Sequence, residues 1–132
     1  MSVVVCVSAT LARITQGPQN TVVVDGSQVS LSCLTDSEAD ELCWNRNYGR
    51  GPGLVCSAVV GCREPERFST ALSTHNNRWR HSLMIESCNS SDSGHYICEG
   101  CLESDDKKSA HLVVFGKSVL AIFLYDCHIL LK

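Results

Sequence analysis

The chain has 132 residues, a formal net charge of −3 and nine cysteines, with a sequence pI near 5.9. That length suits one domain with a core of its own. No basic track runs along it, which argues against nucleic acid or an anionic membrane surface as partner, and the cysteine excess argues against a reduced cytosolic protein.

Residues 1–12 carry an apolar run followed by the small residues Ser8, Ala9 and Ala12. This predicts a secretory signal segment, with a hydrophobic first strand retained in the mature chain as the alternative, because a positive leading region is missing. From there to residue 116 the pattern is one of strands, and no helical period is sustained. Val22, Val24, Val29, Leu31 and Cys33 mark an alternating pair of strands, with Asp25-Gly26 as the turn between them. The polar stretch 35–41 is a loop, and 42–46 the next strand. Gly49, Gly51, Pro52 and Gly53 make 47–53 a turn-rich connection. A strand follows over 54–60, with 61–65 as connection and a further strand starting at Arg67-Phe68. His75-Asn76-Asn77 is a turn. Residues 80–86 form a strand with Leu83 and Ile85 inward, 89–93 a corner, 103–108 a charged loop and 110–116 the closing strand. Residues 117–132 form an apolar tail interrupted by Asp126, Cys127 and His128. It is too short to cross a bilayer, which takes about 20 apolar residues. It reads as the start of a membrane span, an extra strand or non-native sequence.

The most specific pattern is Cys33, then Trp44, then Asp92-Ser93-Gly94-His95-Tyr96-Ile97-Cys98. With 14–18, 22–33 and 82–85 placed around it, the stretch from Ala12 to Gly116 resembles the immunoglobulin superfamily, in its variable or intermediate sets. It is also similar to the outer domains of invertebrate adhesion receptors. The resemblance implies an all-β, Greek-key β-sandwich over 13–116. It further implies a Cys33–Cys98 bridge between the two sheets, Trp44 packed on that bridge, Tyr96 as the corner tyrosine bonding back to nearby backbone, and an Arg67–Asp92 salt bridge. Phe115-Gly116-Lys117-Ser118 is close to the Phe-Gly-x-Gly ending of antigen-receptor variable domains, but Ser118 replaces the second glycine, and an ordinary strand end accounts for it.

Within such a sandwich, alternation turns Cys43 away from the core if Trp44 faces it, and Cys101 away if Cys98 faces in. Strands C and F are neighbours in this fold, so a Cys43–Cys101 bridge on the outer face is expected. Cys56 and Cys62 can close the hairpin after strand C′. Cys88 and Cys127 then pair with each other, or one bridges to another chain; sequence alone does not fix connectivity. A zinc reading would use Cys98-x-x-Cys101 with Cys56, Cys62 and Cys88, but no second Cys-x-x-Cys exists and Cys98 already belongs to the sandwich pattern. Redox catalysis at Cys98 and Cys101 lacks the following helix that such sites use.

The five histidines are scattered, with no pair at helical ligand spacing, which supports neither a metal nor a general-base role. No nucleophile elbow is present. No enzyme activity, cofactor or metal is expected. Asn89-Ser90-Ser91 is a glycosylation sequon in the corner.

These features imply a secreted or cell-surface recognition or adhesion module. Its partner is an extracellular protein, homophilic or heterophilic, and any membrane anchor lies outside this segment. The expected face is the outer C–F–G sheet with its top loops: Arg46, Tyr48, Arg50, Leu54, Glu99, Leu102 and the charged 105–108. Tyrosine and arginine are favoured at binding hot spots. Two other readings are an innate-immune domain for carbohydrate or microbial surfaces, and a small cysteine-rich metal-binding structural protein.

Overall fold

A computed structural model describes residues 13–36, 42–47, 52–57, 60–101 and 106–117. The signal-like segment, the tail beyond Lys117, Tyr48, Arg50, Leu102, Asp105 and Cys127 lie outside the described residues.

Among the described residues ten strands form two sheets. They are β1 (Ile14–Gln16), β2 (Thr21–Val24), β3 (Val29–Thr35), β4 (Leu42–Asn47), β5 (Pro52–Ser57), β6 (Gly61–Cys62), β7 (Phe68–His75), β8 (Arg78–Ile85), β9 (Gly94–Gly100) and β10 (Lys107–Phe115). One sheet has the order β1-β3-β8-β7 and the other β2-β10-β9-β4-β5-β6. The chain changes sheets between β1 and β2. Gly17 makes this passage possible, because a Cβ there would lie 2.4 Å from the Lys108 Cβ. β2 then pairs parallel to β10, with Val22 opposite Val113.

The core follows from strand alternation. On β3, Val29, Leu31, Cys33 and Thr35 are buried at every second position, and Leu83 and Ile85 on β8 meet them from the facing register. From the other sheet come Trp44, Tyr96, Cys98, Leu112 and Val114. On the outward side of β3 and β8 the hydroxyls of Ser32 and Ser82 pair at 2.9 Å. Burying Trp44 and Tyr96 fully supplies a large share of the apolar stabilisation, about 25 cal/mol for each Å² removed from water.

Four boundaries differ from the sequence expectation. β7 is long, running from Phe68 to His75, and turns into β8 through Asn76-Asn77 alone. Both asparagines have positive φ, 51° and 61°, which is the two-residue hairpin turn that matches strand twist. β6 is a short extra strand where a connection was expected. It exists because Cys62 lies directly opposite Cys56 and is bonded to it. The strand expected over 54–60 instead runs from Pro52 to Ser57. β10 begins at Lys107, so Lys107 and Lys108 belong to the ladder with β9 rather than to a loop.

Candidate recognition face

Three disulfides are present among the described residues. Cys33–Cys98 crosses the core with Cα atoms 6.6 Å apart, and Trp44 lies beside it in register with Cys98. Cys43–Cys101 has Cα atoms 5.0 Å apart and ties the start of β4 to the end of β9. Cys56–Cys62 closes the β5–β6 hairpin at 4.0 Å. Cys98 and Cys101 therefore have different disulfide partners. Neither sulfur remains as a zinc-ligating thiolate or as half of a redox pair, and the cysteine-cluster metal reading is corrected on that ground. Among the described residues Cys88 is a buried free thiol, and its expected pairing with Cys127 falls outside them. Burial and the nearby carboxylates of Asp92 and Asp25 push that thiol above its ordinary value.

The corner between β8 and β9 is built around Asp92, which is buried. Its Oδ2 accepts the Asn89 main-chain N–H at 2.9 Å and pairs with the Arg67 guanidinium. Asn89 caps the short 3-10 turn Ser90–Asp92 by accepting from the Ser91 N–H. Tyr96 donates its hydroxyl proton to the Asp92 carbonyl at 2.6 Å.

Arg46 belongs to this corner. It shares the parity of Trp44, two residues away on β4, so it points to the inner side of the sheet. Its Nη2 donates to the carbonyls of Ser91 and Ser93, each at 2.6 Å, and its guanidinium lies 5.5 Å from the Tyr96 ring centre. A Cβ at position 94 would come within 3.0 Å of the Arg46 Nε, so Gly94 leaves room for the side chain. The expectation that Arg46 lies on the outer sheet face is thus at odds with its placement, and the reason is the period-two alternation.

The outward side of the six-stranded sheet carries a different set. β4 presents Asn45, whose amide donates to the Glu99 carboxylate on β9. β5 contributes Leu54, opposite Asn45. β9 contributes His95, Ile97 and Glu99, all half-buried, and β10 contributes Ser109, His111 and Val113. Val22 on β2 is 67 % exposed and Val113 beside it 47 %. They form an apolar strip at the β2–β10 side of the sheet. His95 and His111 face each other across the β9–β10 ladder with ring centres 4.6 Å apart. The sequence reading treated these histidines as scattered, and it did not single out Val22 and Val113 as surface residues. Parity from Cys98 places His95 outward, but the position of His111 opposite it depends on the β9–β10 register.

Asp106, expected on the binding surface, instead accepts the Ile14 main-chain N–H at 2.7 Å. On the opposite sheet, His81 is buried and lies 3.2 Å from the Thr35 hydroxyl. Burial holds its imidazole below the ordinary histidine value.

The immunoglobulin V-set domain family matches residues 16–115. The chain belongs to the immunoglobulin V-set family. It is 29 % identical over 111 residues to the T-cell receptor alpha chain V region 2B4 of Mus musculus, covering 82 % of this chain and 80 % of that one. Among solved structures it is similar to the RIG-5 IG1 homodimer, with a TM-score of 0.66 and 19 % identity over 80 % of this chain and 98 % of the other. The first immunoglobulin domain of the mouse polymeric immunoglobulin receptor aligns with a TM-score of 0.63 and 21 % identity over 79 % and 96 %. The ZIG-8 IG1 homodimer aligns at 0.57 and 19 % over 81 % and 89 %. These likenesses to solved structures establish the fold. V-set domains are recognition and adhesion modules, typically non-enzymatic, and those with disulfides are typically extracellular or on the cell surface.

Proposed function

We propose that this V-set domain is an extracellular adhesion module that recognises a second copy of itself through the outer side of the six-stranded sheet. The observation that carries this reading is the pair of exposed valines, Val22 and Val113, side by side on a sheet surface. Exposed apolar area on a flat face marks an interaction site more often than isolated apolar residues do. A two-fold contact would bring each strip against its counterpart, or against Ile97 and Leu54 of the other copy, since an isologous interface repeats one patch on both sides. RIG-5 IG1 and ZIG-8 IG1, which share this fold, are described as homodimers. The Cys43–Cys101 bridge stiffens one end of the face, which lowers the ordering cost of recognition. Glu99, Leu54, Tyr48, Arg50 and Leu102 are further contributors. A glycan on Asn89 would sit at the corner and leave the sheet face clear. Arg46 acts by positioning the corner.

The second reading, a heterophilic immune receptor, rests on the T-cell receptor V region relative. The deciding experiment displays the oxidised, secreted full chain at high density on beads, where multivalency reveals weak self-binding. Clustering that is lost with Val113→Lys or Val22→Lys, in variants that melt like the parent, supports the homophilic face. Absence of clustering by folded protein overturns it in favour of a heterophilic partner. Clustering that both variants retain overturns the choice of surface.

A further inference from the structure

His95 and His111 are far apart in sequence, yet the β9–β10 register sets them directly opposite one another. Both side chains leave the sheet on its outer side, where His111 is exposed and His95 half-buried. The His111 N–H donates to the Asn20 side chain at 2.9 Å, on the β2 side of β10. Its N–H therefore points away from β9. The two histidines form one of the ladder positions at which facing strands exchange no hydrogen bonds, and such positions bring side chains closest. Their rings lie 4.6 Å apart, with 26° between the planes.

That juxtaposition puts two imidazoles within reach of one metal ion, while the stacked rings themselves do not aim their nitrogens at a common point. Zinc takes imidazole nitrogens at about 2.0–2.1 Å in tetrahedral geometry, which places two ligand ring centres roughly 5 Å apart. The ring spacing is already near that value, and turning the two imidazoles out of their stack about χ1 and χ2 aims one nitrogen of each at a common point above the sheet. The outward register neighbours are Ile97, Ser109 and Val113, so no cationic side chain adjoins the pair along these two strands.

We propose that His95 and His111 form a two-imidazole site for a divalent cation of the zinc class, and that the same pair from a second copy fills the cation's remaining positions. Two ligands per chain leave a tetrahedral ion half-coordinated, and among the described residues no third histidine, cysteine or carboxylate joins the pair. A two-fold axis through the outer face would supply the missing pair, because an isologous contact duplicates each residue. Two imidazoles from each chain then give one ion per two chains. The bridge rests on the homophilic reading given above; the two-imidazole site does not.

The test uses the oxidised full chain stripped with EDTA and titrated with zinc against a chromophoric chelator, with molar mass followed by sedimentation. Uptake of one zinc per two chains, with a zinc-dependent doubling of mass that EDTA reverses, is the expected result. His95→Gln and His111→Gln should each weaken zinc binding at least tenfold and abolish the doubling, while melting like the parent in EDTA. Equal zinc uptake by parent and double variant overturns the site. Association that persists in EDTA and in the double variant overturns the bridge and leaves homophilic recognition standing. One zinc per chain with no zinc-dependent doubling of mass supports the two-imidazole site and overturns the bridge, and the homophilic reading falls with it only where clustering on the beads is absent as well.

Discussion

The Tyr96 hydroxyl and the Asp92 carbonyl are joined at 2.6 Å inside the protein, and the Asp92 side chain is simultaneously held by Arg67 and by the Asn89 N–H. One residue thus fixes the corner through both its main chain and its carboxylate. Removing a partner leaves a buried polar group without compensation, which costs more than the bond itself contributes. Tyr96→Phe should lower stability by about 1–2 kcal/mol. Arg67→Ala should lower it by about 3 kcal/mol, since it strands a buried carboxylate. Urea denaturation of the two variants checks the order; equal losses would mean that Arg67 contributes no more than the hydroxyl.

Much of this corner was legible in the sequence, because Asp92, Tyr96 and Cys98 sit close together in one segment whose spacing is set by a turn and a strand. Cys33 and Trp44 were legible for a similar reason. Arg46 was not placed correctly, although the information was present: carrying the parity of Trp44 forward by two residues sends it inward. The His95–His111 pairing has no comparable local signal. It depends on which residue of β10 stands opposite β9, and that register is a property of the assembled sheet. β7 was underestimated because its residues Ser69 to Thr74 are all exposed and, apart from Ala71 and Leu72, are serines and threonines, so no apolar period marks the strand beyond its start at Phe68.

The two long-range bridges close loops of nearly equal length, with separations of 65 and 58 residues. Chain entropy alone therefore gives them nearly equal stabilising effects. Their surroundings differ: Cys33 and Cys98 are fully buried, whereas Cys101 is exposed. Replacing Cys33 and Cys98 together by alanine should cost about 4–5 kcal/mol, because lost core packing adds to the entropy. Replacing Cys43 and Cys101 together by serine should cost about 2–3 kcal/mol and leave the domain folded. Thermal denaturation of both double variants compares them. An equal cost would show that packing against Trp44 contributes nothing measurable.

His81 makes stability depend on pH. Its pKa in the folded protein lies below the ordinary histidine value because burial disfavours the imidazolium. In the unfolded chain it titrates near pH 6.5. Above that pH both states hold the neutral ring and His81 exerts no pH effect. As pH falls below it, the unfolded chain takes up the proton first, so stability falls until the folded-state pKa is passed and then levels off. The melting temperature of the parent should therefore drop more steeply below pH 6.5 than that of His81→Asn. Parallel melting profiles for the two proteins would show that protonation of His81 is not resisted by the fold.

Arg46 and Val113 separate folding from recognition. Arg46 donates two hydrogen bonds to carbonyls of the corner and stacks over Tyr96. Charge-assisted bonds of this kind contribute about 1.5–3 kcal/mol each. Arg46→Ala should therefore lower the unfolding free energy by several kcal/mol, with faster amide exchange at Ser93 and Gly94. Val113 points into solvent, so Val113→Lys removes little buried area and should leave the unfolding free energy within about 0.5 kcal/mol of the parent. In the bead assay the pattern should reverse. Folded Arg46→Ala protein, measured below its melting temperature, should still cluster, because its side chain does not lie on the outer face. Loss of clustering in folded Arg46→Ala together with retention in Val113→Lys would move the contact from the sheet to the corner.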